Sequence, residues 1–139
     1  MTIKRIDKLN EQQISQLHLL YQNEWWTKGR VLSDVKIMLR NTDFIFALCE
    51  EDSNQLIAFA RVLTDKVYKA LILDVIVDPV YRSQGLGREI MQMIINHPDL
   101  KHIKHFELYC LPELIPFYKK WGFTDELGEL TSMRLYKNK

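Results

Sequence analysis

Residues 70–87 read ALILDVIVDPVYRSQGLG, and this stretch decides the fold. Ala70 to Val77 is a nearly continuous apolar run, the pattern of a strand covered on both faces of a sheet. Asp78-Pro79 stops it. Arg82-Ser83-Gln84-Gly85-Leu86-Gly87 then opens a helix in which Leu86, Ile90, Met93 and Ile94 line one face, and Pro98 ends that helix. A helix start presents unpaired N–H groups and the positive end of the helix dipole. Glycine at such a start lets a phosphate approach the backbone with no Cβ in the way. Residues 82–87 therefore read either as a pyrophosphate cradle, with Arg88 adding a charge-assisted contact, or as an ordinary helix entry containing two glycines. Two other phosphate motifs are excluded. There is no GxxxxGK[ST], and Gly85-Leu86-Gly87-Arg88-Glu89-Ile90 lacks the third glycine of GxGxxG.

Outward from this core the chain alternates between strand and helix patterns. Ile3 to Ile6 reads as a first strand. Asn10 can cap a helix in which Ile14, Leu17, Tyr21 and Trp25 form one stripe, broken at Lys28-Gly29. Ser33-Asp34 can cap a second, short helix. Phe44–Glu50 and Gln55–Thr64 flank the turn Glu51-Asp52-Ser53-Asn54 and predict a hairpin. Beyond Pro98, His105–Cys110 reads as a strand and Pro112-Glu113 starts a helix with Leu114, Phe117, Tyr118 and Trp121 on one stripe, closed by Gly122. Thr131–Tyr136 reads as a last strand. The order β-α-α-β-β-β-α-β-α-β predicts a mixed α/β sandwich in a single domain, residues 1–139.

Composition narrows the function. The chain carries 19 basic and 18 acidic residues, a formal net charge of +1. That balance opposes nucleic acid or an anionic membrane as the main partner. Asp74 interrupts the longest apolar run, which is too short to span a bilayer, and Met1 to Asp7 has no apolar leader. A cytoplasmic location is the expectation. Cys49 and Cys110 form no CxxC pair, and Cys110 reads as a small buried residue. His97, His102 and His105 lack zinc-ligand spacing, so no metal is expected.

The run Val77-Asp78-Pro79-Val80-Tyr81-Arg82-Ser83-Gln84-Gly85-Leu86-Gly87 resembles motif A of the GNAT superfamily of N-acetyltransferases, whose signature is [QR]xxGx[GA]. Phe117-Tyr118-Lys119-Lys120-Trp121-Gly122-Phe123 resembles its motif B, FYxxxGF, in the family's order and at its usual separation. The resemblance implies a GNAT-type, mostly antiparallel sheet flanked by helices, with strands 70–77 and 105–110 splayed apart at the acetyl-CoA site. It implies that the backbone of Val75, Ile76 and Val77 holds the pantetheine arm. It also implies that Arg82, Ser83, Gln84, Gly85, Leu86, Gly87 and Arg88 hold the pyrophosphate. The implied reaction moves the acetyl group of acetyl-CoA onto a primary amine by direct attack. One departure stands out: Leu111 occupies a position, seven residues before the motif B tyrosine, where many members place an asparagine that touches the cofactor.

Acetyl transfer needs a neutral amine, a stabilised oxyanion and a protonated leaving thiol. A backbone N–H near Val77 is the natural oxyanion donor. The resemblance gives Tyr118 the role of general acid; by pattern alone it is one of four residues on an apolar stripe. Asp74, a carboxylate in an apolar strand, reads either as the general base or as a structural hydrogen-bond partner. Glu107 is a second candidate base. Trp25, Trp26 and Arg30 lie where the superfamily walls its acceptor pocket, although Trp25 can equally complete the helix stripe. The acceptor implied is a small-molecule amine, and homodimers are common in the superfamily. A non-catalytic CoA-binding sensor with the same fold is the alternative.

Overall fold

The structure is a computed structural model and describes residues 2–137. Met1, Asn138 and Lys139 of the expected 1–139 domain lie outside the described residues. The described chain forms two compact units, one ending at Leu108 and the other beginning at Tyr109.

The first unit is built on a five-stranded sheet: β1 (Ile3–Ile6), β2 (Phe44–Glu50), β3 (Leu56–Thr64), β4 (Lys69–Val77) and β5 (His105–Leu108). The strands lie in sequence order. The first four pair antiparallel and β4 pairs parallel with β5. Short turns join β2 to β3 and β3 to β4, whereas β1 reaches β2 through residues 7–43, which carry two helices, and the parallel step to β5 requires the long crossover of residues 78–104.

Helices α1 (Glu11–Gln22) and α2 (Leu32–Arg40) cover one face of the sheet. Leu17, Leu20 and Tyr21 of α1 and Val35 of α2 meet Ala47, Leu56, Phe59 and Ile76 in a closed apolar cluster. Helix α3 (Leu86–Ile95) packs on β2, β3 and β4 through Leu86, Ile90, Met91 and Ile94, all buried. Burying each of these aliphatic side chains stabilises the unit by about 1.5–3 kcal/mol. Among the described residues no helix is long and apolar enough to cross a membrane.

Asn10 caps α1 as expected. Its side chain accepts from Gln13 N at 2.8 Å, and the Gln13 side chain accepts from Asn10 N at 3.0 Å, a reciprocal capping box. Two expectations are corrected here. Helix α1 stops at Gln22, so Trp25 does not extend its stripe; Glu24 instead starts a turn whose carbonyl accepts from Lys28 N at 2.8 Å. Helix α2 begins at Leu32 with Val31 as N-cap, so neither Ser33 nor Asp34 caps it, and Asp34 serves the dipole from the first turn.

In the second unit a 3-10 turn, Pro112–Leu114, leads into α4 (Ile115–Lys119), and Gly122 closes the turn beyond it at φ 95°. Tyr118 is buried and meets Phe117 and Phe123 edge-on, with ring centroids at 5.0 and 6.0 Å. The expected strand at Thr131–Tyr136 does not form, and Met133 and Leu135 are exposed. Alternation is a local pattern, whereas a strand also requires a neighbour to take its N–H and C=O groups. Cys110 is exposed, contrary to its expected burial; Cys49 is the buried cysteine.

Candidate active site

Three features of the first unit converge on the C-terminal end of β4. The first is an open strand edge. The β4–β5 ladder ends at Ile72 opposite Leu108, yet β4 continues through Leu73, Asp74, Val75 and Ile76 to Val77. On its other side β4 stays paired with β3 up to Ala58 opposite Val77. Backbone groups of 73–77 that point away from β3 therefore have no strand partner among the described residues, and an extended chain can add there as a further strand. The Ile76 side chain is anchored in the apolar cluster, which fixes this edge.

The second feature is the loop into α3. Pro79–Tyr81 forms a 3-10 turn capped by Asp78, whose Oδ1 accepts from Val80 N at 3.0 Å. Ser83 and Gly85 both adopt positive φ, 66° and 78°, and turn the chain sharply into the helix. The first backbone bond of α3 is Glu89 N to Gly85 O at 3.1 Å. Among the described residues, the N–H groups of Ser83 through Arg88 donate to no carbonyl or side chain. A Cβ built on Gly85 would meet no heavy atom within 4 Å, so the space in front of the helix start is open. Free donors, a helix dipole and open space form a donor set suited to a pyrophosphate. The guanidinium of Arg82 already has partners: Nε donates to the Val77 carbonyl at 3.3 Å and Nη2 to Glu24 Oε1 at 2.6 Å.

The third feature is Asp74. It takes φ 56° at a bulge where Phe59 faces Ile76 and Arg61 faces Leu73, so Asp74 and Val75 together oppose Ala60. Its Oδ2 accepts from Arg61 Nε at 2.7 Å, Arg30 Nη1 at 2.8 Å and the Tyr21 hydroxyl at 2.9 Å, and its Oδ1 accepts from Arg30 Nη2 at 3.3 Å. Arg30 also lies over the Tyr21 ring, 4.7 Å from its centroid. The Asp74 side chain is only 4% exposed. Burial alone would raise its carboxyl pKa; hydrogen bonds from Arg30 and Arg61, and their charges, outweigh that and hold it below the usual range. Burial first, and then the Asp74 charge, raise the Tyr21 hydroxyl.

This arrangement runs against a general-base role for Asp74. Arginines occupy both of its oxygens, and a lowered pKa leaves it little tendency to take a proton at neutral pH. It places Asp74 with Arg30, whereas the sequence reading had given these two residues separate roles. Arg61, Tyr21 and Glu24 were missed. Arg61 was detectable as the one charge inside the otherwise apolar run Ile57–Val62, on the strand paired with the one holding Asp74. Trp25 is 72% exposed and Trp26 40% exposed, on the loop that Glu24 and Arg30 bracket. Glu107 pairs with Lys69 at 2.9 Å on the exposed β4–β5 surface.

In the second unit, burial first, and then the neighbouring Cys110, push the Tyr118 hydroxyl up to about 12. It stays protonated, hence a donor, throughout the neutral range. A cleft of about 880 Å³ lies between the β1–β2 edge and the end of α3 and includes Phe44, Phe46 and His97. None of the sequence-predicted site residues lines it. Among the described residues no group of three or more His, Cys, Asp or Glu side chains is placed to hold a metal.

A mixed sheet whose parallel pair parts early, followed by a strand–loop–helix with free N–H groups, defines a protein that can hold an extended chain along β4 and a phosphate at α3. The model of the acetyltransferase (GNAT) domain matches residues 42–125. This chain belongs to the GNAT superfamily of N-acetyltransferases, a family that uses acetyl-CoA. It is 33% identical over 113 residues to GCN5-related N-acetyltransferase 1, chloroplastic, of Arabidopsis thaliana, covering 79% of this chain and 57% of that one. It is 32% identical over 123 residues to the N-acetyltransferase ycf52 of Porphyra purpurea, covering 87% of this chain and 70% of that one. A GNAT-family protein of Xanthomonas campestris pv. campestris has the same fold at TM-score 0.85 and 26% identity, covering 99% of this chain and 94% of that one. The chain thus spans little more than half the length of the Arabidopsis relative.

Proposed function

We propose that this protein transfers the acetyl group of acetyl-CoA to a primary amine of a small molecule by direct attack of the amine on the thioester. The observation that carries this reading is the pairing of an open β4 edge with the six free N–H groups of Ser83–Arg88. Backbone groups of Val75, Ile76 and Val77 take the pantetheine arm as an added strand. Ser83, Gln84, Gly85, Leu86 and Gly87 present their N–H groups to the pyrophosphate, and Arg82 and Arg88 supply positive charge.

Attack converts the carbonyl to a tetrahedral oxyanion, which a backbone N–H near Val77 stabilises. The C–S bond then breaks. Tyr118 donates its proton toward the departing sulfur, and the new ammonium nitrogen gives up a proton as the amide forms. A free thiol has a pKa of about 8.5, so full transfer from a hydroxyl near 12 is uphill. Tyr118 therefore acts mainly by hydrogen bonding to the developing thiolate, and the amine supplies the net proton. Asp74 is a positioning residue: it holds Arg30 and so fixes one end of the loop that carries Trp25 and Trp26. Those tryptophans face the acceptor.

The test is thiol release from acetyl-CoA across a panel of amines, with wild type and Tyr118→Phe side by side. Turnover with one amine class, cut by about 10² or more in the variant, is the expected result. No release with any amine, from protein that binds acetyl-CoA, would overturn the enzyme reading in favour of a CoA-binding sensor.

A further inference from the structure

The acceptor-side loop is tied down at two points. At its end Arg30 is held by Asp74, and at its start Glu24 is held by Arg82. Between them the loop is one knit piece: Thr27 Oγ1 donates to the Tyr21 carbonyl at 2.8 Å, and Gln22 Nε2 donates to the Arg30 carbonyl at 3.0 Å. Trp25 and Trp26 follow Glu24 directly, so whatever moves Glu24 moves them. The two ties differ in kind. The Arg30 tie ends on a buried carboxylate with two further donors. The Arg82 tie is half-exposed on the arginine side and ends on a residue of the phosphate cradle.

The same guanidinium covers the Val77 carbonyl, the last backbone acceptor on the open edge of β4. Arg82 in this position thus occupies an acceptor that the pantetheine arm would use, while its charge is spent on Glu24 rather than on a phosphate. We propose that Glu24 is a latch on Arg82. Acetyl-CoA draws Arg82 away from Glu24 and Val77, and the loop carrying Trp25 and Trp26 is released at its start while Arg30 keeps its other end in place. The inference rests on the acetyl-CoA reading above and names Glu24 as a positioning residue for the acceptor side.

Glu24 competes with the phosphate for one arginine, so removing its charge tightens CoA binding. An exposed ion pair of this kind corresponds to roughly a two- to fivefold change in affinity. CoA binding to wild type, Glu24→Gln and Glu24→Ala is measured by calorimetry at low salt. In parallel, tryptophan emission is followed in a Trp121→Phe background, which leaves Trp25 and Trp26 as the reporters. Both Glu24 variants are expected to bind CoA two- to fivefold more tightly than wild type. Emission changes when CoA binds the wild type and changes little in either variant, whose loop is already released. Equal or weaker CoA binding by the variants, or the same emission change in all three proteins, overturns the latch and leaves the acetyl-CoA site standing. Absence of CoA binding by the wild type overturns both.

Discussion

Asp74→Asn is the substitution whose outcome the structure specifies most closely. The carboxylate accepts four hydrogen bonds, three of them on Oδ2, from Tyr21, Arg30 and Arg61. An amide keeps one acceptor oxygen. Its Nδ2 would replace Oδ1 opposite Arg30 Nη2, setting donor against donor, and two guanidinium charges would lose their counter-ion. Breaking a buried ion pair by removing one partner costs about 3–5 kcal/mol. Arg61 is 12% exposed, but Arg30 is 32% exposed and regains water, which favours the low end of that range, about 3 kcal/mol. Unfolding entropy of about 2.1 cal/mol/K per residue over 139 residues gives about 0.29 kcal/mol/K, so the melting temperature should fall by about 10 °C. The assay is a thermal melt by circular dichroism at pH 7. A melting temperature within 2 °C of wild type, together with lost turnover, would refute the reasoning and return Asp74 to the role of base.

The other expectations follow from single features. Tyr118→Phe should lower kcat by about 10²–10³ with little change in the KM for acetyl-CoA; steady-state kinetics with both substrates varied would expose a purely structural tyrosine as a loss of stability instead. Gly85→Ala places a side chain at φ 78° in open space, so it should cost about 1–2 kcal/mol of stability through left-handed strain alone and weaken CoA binding several-fold, read by a melt and a calorimetric titration. With Asp74 held below the usual carboxylate range and Tyr118 near 12, kcat/KM should rise with pH as the acceptor amine loses its proton, with no acidic inflection between pH 5 and 7 and no alkaline fall before about pH 11. An inflection in that window that disappears in Asp74→Asn would contradict it. Since the folded Asp74 pKa is depressed, its contribution to stability is complete above the unfolded value near 3.9 and is lost as pH falls through the folded one. Melts repeated at successively lower pH should therefore show a constant gap between wild type and Asp74→Asn down to about pH 4 and a narrowing gap below it.

Features set by local chemistry could be read from the sequence. The apolar run of β4, the Pro79 stop and the two glycines at the start of α3 each act within a few residues, and each stands where expected. Asn10 and Gln13 made their capping box for the same reason. What distance decides could not be read. The partners of Asp74 lie 13, 44 and 53 residues away in sequence, and the bulge that presents it to them appears only once β3 and β4 are in register. Trp25 continued the period of α1, yet the turn at Glu24 ends the helix before reaching it. Thr131–Tyr136 has the alternation of a strand, yet no strand forms there. Glu24 gave no signal at all, because its partner Arg82 is brought to it by the crossover from β4 into α3.

The central claim is that CoA lies along β4 and across the start of α3, and amide chemical shifts recorded as CoA is added test it most directly. The N–H signals of Ser83 to Arg88, and those of the open edge at Leu73 to Val77, should move together and saturate at one equivalent, while the cleft at Phe44, Phe46 and His97 stays unchanged. Shifts confined to that cleft, or none at the start of α3, would contradict the account.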